Sequence, residues 1–160
     1  MPPQTNSSIG DLRFPVISIT HSGAITVHMN RNTLEVEHVK MIRRGWYRGM
    51  LIIDSTGDSR KVRRAKQMKG QGPFWGFSLL YSRRVRVELE LQPNQKLELP
   101  EVKKLLCDAM ERDPHMWNAA LYEDGVSGWQ RKVRDAKTTR DIIDLLRSNQ
   151  WSLRHCRVES

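Results

Sequence analysis

The chain has few of the residues that most catalytic and metal centres are built from. Only two cysteines occur in 160 residues, Cys107 and Cys156. Neither sits near a second Cys or His at a zinc-site or redox-motif spacing, so both read as reduced thiols, and Cys107 as a packing residue of a helix. The five histidines are scattered, and no pair has the i, i+4 spacing that would put two imidazoles on one helical face. No cofactor and no metal are therefore expected. Long apolar runs are missing as well. "MLII" and "FSLLY" fall far short of a membrane span, and "MPPQTNSSIGD" lacks the basic and apolar regions of a secretory signal. The expected location is the cytoplasm.

Catalytic groupings are equally sparse. Ser78 is not in a G-x-S-x-G elbow, and Asp54 and Asp58 bracket an ordinary turn without calcium-loop spacing. Glu88 and Glu90 share a strand face with Arg84 and Arg86, which reads as a solvated charge ladder. The expectation is a binding protein, not an enzyme.

Acidic residues are scarce in one segment, and that scarcity is the most telling feature. Between Arg31 and Arg86 stand 14 Lys/Arg against four acids, whereas the rest of the chain has 13 against 14. The net charge of +9 thus belongs to one stretch. Clustered charge raises the local potential and steers encounter with an acidic partner, whether nucleic acid, membrane surface or protein.

Periodicity divides the chain in two. Residues 1–11 read as a loose tail. "VISIT" and "ITVHM" alternate around the turn "HSGA", and "MLII" leads through "DSTGDS" to a polar strand around Val62, so both pairs are predicted hairpins. "WGFSLLY" and "RRVRVELELQ" make a third, with Val85, Val87, Leu89 and Leu91 on the buried face. Residues 32–44 are ambiguous between strand and helix; we read them as a helix capped by Asn32 or Thr33 and ending at Arg43, Arg44 and Gly45.

After Pro100 the period becomes 3.6. Val102, Leu105, Leu106, Ala109 and Met110 form one stripe, stopped at Asp113-Pro114. A second helix is predicted near Trp129 to Ala136. A third follows a capping box of Thr138 and Asp141, and residues 151–160 add an edge strand or a tail. The fold class is α+β: one domain over residues 12–150, with an antiparallel sheet of five to six strands across residues 12–99 and helices packed on it.

Two segments are candidates for binding. "MKGQGPFWGF" holds three glycines in seven positions, yet it does not end a strand and open a helix with phosphate-loop spacing. Trp75 within it is read as core packing or, with Lys69, Tyr81 and Arg83 nearby, as a stacking platform for single-stranded nucleic acid. The run "RKVRRAK" places Arg60, Lys61, Arg63, Arg64 and Lys66 on one strand. It reads either as a phosphate- or partner-contacting strip or as the charged edge of a sheet. Trp46 and Tyr47, within "RRGWYRG", are candidate anchors because Trp, Tyr and Arg are favoured at binding hot spots.

The ordered set "LIIDSTGD", "GPFWGFSL", "VRVELEL", "EVKKLL" and "AKTTRDIIDLL" resembles a pattern of small bacterial proteins. Their sheet-then-helix build is similar to pleckstrin-homology-like domains and to the immunity proteins that accompany bacterial competition toxins. The resemblance implies a non-catalytic protein that acts by occupying a partner, with a toxin's active face as the leading candidate; the basic charge of this chain, by complementarity, points to an acidic face on that toxin or effector. The resemblance assigns no site residues. The alternative function is nucleic-acid binding through segment 31–86.

Overall fold

A computed structural model describes residues 11–68, 84–118 and 124–156, with only the backbone described at 38, 84 and 149–156. It is an α+β protein in which an antiparallel sheet, curled into a half-barrel, precedes four helices. The strands are β1 (Val16–Ile19), β2 (Ile25–His28), β3 (Val36–His38), β4 (Leu51–Asp54), β5 (Asp58–Gln67), β6 (Arg84–Leu91) and β7 (Gln95–Lys96). Their order is β2-β1-β4-β5-β6-β3, with β7 beside the start of β5.

The two N-terminal hairpins form where alternation predicted them. β1 pairs β2 from Val16↔His28 to Ile19↔Ile25, and β4 pairs β5 from Leu51↔Lys61 to Ile53↔Ser59. Turn chemistry fixes the second hairpin. The buried Asp54 carboxylate accepts from Thr56 N, Thr56 Oγ1 and Asp58 N at 2.8, 2.7 and 3.1 Å, and from Arg13 N at 3.4 Å. Asp54 is thus a structural turn residue.

Sheet curvature comes from β5. Its first residues pair with β4 and β7, while Val62 to Gln67 pair with β6, and the register shifts between Val62 and Arg64. An irregularity of this kind bends the strand that carries it and increases its twist. The alternation of β6 is as predicted: Val85, Val87, Leu89 and Leu91 are buried, and Arg86, Glu88 and Glu90 are exposed. Its predicted hairpin partner "WGFSLLY" lies outside the described residues.

Two hydrophobic clusters follow from the central strands being buried on both faces. One gathers Ile17, Ile19, Ile25, Val27 and Ile53 beneath α3 (Leu99–Arg112), α4 (Pro114–Trp117), α5 (Gly125–Asp135) and α6 (Thr139–Cys156). The other packs Val16, Ile52, Val62, Val87, Leu89 and Leu91 against Leu12, Leu34, Tyr47 and Met50. Helix α3 buries Val102, Leu106, Ala109 and Met110, with Leu105 partly buried, and stops before Asp113-Pro114 as its period required. The predicted capping box of α6 is present, since Asp141 N donates to Thr138 Oγ1 at 3.0 Å and Thr138 N to Asp141 Oδ2 at 2.9 Å. Gln130 joins α5 to α3, its Nε2 donating to Glu111 Oε1 at 2.8 Å and to Cys107 O at 3.3 Å.

Three expectations change. The helix over 32–44 is split into α1 (Arg31–Glu35), β3 and α2 (Val39–Arg43), because Val36, Glu37 and His38 pair with Arg86, Val85 and Arg84 of β6. A tertiary ladder overrides the helical step there. The cap is Asn30, whose Oδ1 accepts from Thr33 N at 3.0 Å. Residues 151–156 continue α6 rather than forming an edge strand or tail. Asp11, expected in the loose tail, lies 3.4 Å from the Arg60 guanidinium.

Candidate functional site

The basic run on β5 is divided by its register. Arg60 is 8% exposed, opposite Ile52 on β4 and ion-paired with Asp11, so it is a structural residue and not part of a contact strip. Lys61, Arg63, Arg64 and Lys66 are exposed. Arg64 stands across the ladder from Glu90, and Lys66 from Glu88. Opposite charges directly across a ladder attract, so half of the exposed run is balanced within the sheet. Trp75, with Lys69, Tyr81 and Arg83, lies outside the described residues.

Tyr47 is corrected in the same way as Arg60. It is 3% exposed, and its hydroxyl donates to Leu34 O at 2.9 Å, so it anchors the loop from inside and does not face a partner. Burial pushes its phenol well above the ordinary value, with Glu37 and Glu35 adding to the effect. Burial likewise pushes the Cys107 thiol up, against the opposing pull of Arg134.

Both shifts bear on stability. A native state that holds these protons more tightly than the unfolded chain is fully stabilised below the unfolded values, and loses that contribution above them. Urea unfolding is therefore expected to show stability falling as pH rises past about 8.5, first for Cys107 and then, beyond about 10, for Tyr47. Cys107→Ser flattens the lower part of that decline and Tyr47→Phe the upper part. Unchanged slopes in both variants would refute the assignment.

Positive charge without internal compensation lies instead in "RRGWYRG". Here α2 ends in a Schellman motif: Gly45 N donates to Ile42 O at 2.9 Å, Trp46 N donates to Met41 O at 3.1 Å, and Gly45 has φ +76. A second turn follows, with Arg48 N donating to Gly45 O at 2.9 Å and Gly49 at φ +67. Tyr47 and Met50 point into the second cluster, while Arg43, Arg44 and Arg48 are exposed and Trp46 is half-buried.

This loop forms one wall of an open groove of about 760 Å³, and the β1–β2 turn forms the other with Thr20, His21 and Ser22. That second wall is held by its own hydrogen bonds and by packing on α3. Thr20 Oγ1 accepts from Ala24 N at 3.0 Å and lies 2.9 Å from Ser22 Oγ, and Gly23 is seated against the end of α3. None of the ten lining residues is acidic. Among the described residues, none of the ion pairs involves Arg43, Arg44 or Arg48. Lys61 extends the basic rim, because a Cβ on Gly49 would lie 3.6 Å from Lys61 Cε.

No protein-family model matches the chain, and neither curated proteins nor solved structures give a match. The site therefore rests on its own geometry. Of the residues singled out from sequence, Trp46 lines the groove and Lys61 approaches its rim at Gly49, whereas Arg63, Arg64 and Lys66 are not in the lining. Arg43, Arg44 and Arg48 were missed as site residues. The available signal was three arginines and two glycines around a Trp-Tyr pair within seven positions.

A second, smaller hollow of about 320 Å³ is lined by Arg31, Glu35, Met68, Arg86, Val87 and Glu88. Glu35 is buried there, with Arg31 Nε at 2.8 Å and Arg86 Nε at 3.8 Å, while an Arg86 guanidinium nitrogen donates to Asn32 Oδ1 at 2.7 Å. These bonds clasp α1 to β6. Among the described residues no three His, Cys, Asp or Glu side chains gather as metal ligands, and no helix is long and apolar enough to cross a membrane.

Proposed function

We propose that this protein is a non-catalytic binding protein whose arginine-walled groove docks an acidic surface of a partner protein. In the finer reading it is an immunity-type inhibitor that occupies the face of a bacterial toxin or effector in the cytoplasm. The observation that supports docking is the groove itself: Arg43, Arg44 and Arg48 around Trp46, with no acid in its lining. Arginine and tryptophan are the residues that most often dominate interface energetics, and unbalanced positive charge accelerates encounter with an acidic surface. The finer reading draws on the resemblance to immunity proteins and on the basic balance of segment 31–86.

Nucleic-acid binding is the less favoured reading. A strand leaving the groove along β5 and β6 would meet Glu88 and Glu90 between the basic side chains.

The test is affinity capture from the native cell at physiological salt, with and without nuclease, followed by binding of the purified partner to charge-reversal variants. A protein partner that survives nuclease is expected. Its complex should weaken at least ~10-fold in Arg43→Glu/Arg48→Glu, mainly through slower association that high salt also reproduces. Recovery of nucleic acid alone would overturn the reading.

A further inference from the structure

We infer that the groove receives a short acidic loop projecting from the partner, carrying at least two carboxylates, and not a flat acidic surface or a polyanionic strand; this rests on the protein-docking reading above. Three observations lead there.

The first is size. A concavity of about 760 Å³ encloses a few side chains, whereas a stable protein interface covers roughly 800 Å² of each partner. Most of any interface must therefore lie on the rim, and the part that enters must project. The second is charge. Arg43, Arg44 and Arg48 all line the groove from one short loop, and the Arg48 Cβ lies 3.8 Å from where a Gly45 Cβ would be, so three cationic side chains start close together. With Lys61 reaching Gly49, a single carboxylate would leave the groove strongly positive. Two or more carboxylates, each able to take a bidentate arginine, would relieve that repulsion.

The third is the surroundings. The exposed strand face outside the groove alternates in sign, with Arg64 opposite Glu90 and Lys66 opposite Glu88. A long polyanion would gain far less along that face, where Glu90 and Glu88 already balance Arg64 and Lys66, than inside the groove; a short acidic element spends all of its charge in the groove. Trp46, half-buried against the second cluster while lining the groove, supplies a fixed apolar flank against which the loop backbone can pack.

The experiment measures fluorescence anisotropy of a labelled eight-residue cyclic peptide with four Asp/Glu residues. Its controls are a matched Asn/Gln peptide, inorganic phosphate as competitor, and a labelled oligo-dT of equal charge. The acidic peptide is expected to bind the full-length chain, with affinity falling ~10-fold or more in Arg43→Gln/Arg48→Gln and less in Trp46→Phe. Because these side chains are exposed or half-buried, unchanged urea midpoints are expected to show that the variants fold. Three outcomes would each overturn the inference: equal binding of the Asn/Gln peptide, indifference to the double variant, or tighter groove-dependent binding of oligo-dT. Displacement of the acidic peptide by millimolar phosphate would also count against it. If the complex with the cognate protein weakens in Arg43→Gln/Arg48→Gln but the acidic peptide does not bind, the loop-insertion inference fails while the docking function stands. If no protein partner binds at all, the function fails first.

Discussion

Asp54→Ala is expected to lower the free energy of unfolding by about 3–5 kcal/mol, measured by urea denaturation. Asp54 is 1% exposed, and its carboxylate collects three backbone N–H groups and one hydroxyl. Removing it strands those donors together, at a cost of about 1–3 kcal/mol for each one left without an acceptor or water. The consequences extend beyond the turn. Gly57, held between Asp54 and Leu97, donates to Asp54 O at 3.0 Å, and its carbonyl accepts from Leu97 N at 2.9 Å. Loss of the carboxylate therefore loosens the β4–β5 hairpin and its tie to the start of α3. Asp54→Asn keeps one oxygen acceptor and is expected to lose about half as much, since the bonds to it are no longer charge-assisted. A loss below about 1 kcal/mol in the alanine variant would mean that the turn amides find other acceptors.

Gly23→Ala carries the second large effect, and it links stability to the site. Gly23 has φ +96, and a Cβ there would lie 2.5 Å from Ala109 O, 2.8 Å from Arg112 Cβ and 3.2 Å from Asp113 N. The first of these neighbours is helix backbone and cannot swing aside. Relief requires the β1–β2 turn to withdraw from the end of α3, in addition to the strain of placing an L-residue at positive φ. Together these are expected to destabilise the protein by about 2–4 kcal/mol. The same displacement moves Thr20, His21 and Ser22, the wall facing the arginine loop. Gly23→Ala is therefore expected to weaken partner binding ~3-fold or more even under conditions where the variant is fully folded. Ala24→Gly, one residue along the turn, should leave binding unchanged. Native affinity in a destabilised Gly23→Ala protein would show that the turn wall takes no part in the groove.

The loop at Arg43–Gly49 shows how local sequence and tertiary contact share the construction of the site. The two glycines, at φ +76 and +67, let the chain reverse twice within five residues. Burial of Tyr47 and Met50 decides which side chains turn inward, and so leaves Arg43, Arg44 and Arg48 outward and Trp46 at the boundary. The turn residues are local; the choice of direction belongs to the second hydrophobic cluster.

The sequence by itself determined what short-range periodicity and turn chemistry control. The strict alternation of Val85, Val87, Leu89 and Leu91 placed β6, and the 3.6 period from Val102 to Met110 placed α3. "DSTGDS" and the Thr138/Asp141 box fixed a hairpin turn and a helix start through contacts spanning no more than five residues. The concentration of basic charge in residues 31–86 was equally visible. The tertiary structure alone decided the fate of each charge and ring in that segment. Val36 to His38 became a strand because β6 offered a ladder, outweighing a weak helical step. Arg60 and Tyr47 went inside because the strand and loop that carry them face the second cluster, while Glu88 and Glu90 met Lys66 and Arg64 through a register shifted at β5. Such pairings depend on residues 20 to 50 positions apart, and no window of the sequence contains both partners. The groove arose for the same reason: its two walls, at residues 20–22 and 41–49, become neighbours when β1 pairs with β4 and sets Ile19 opposite Leu51.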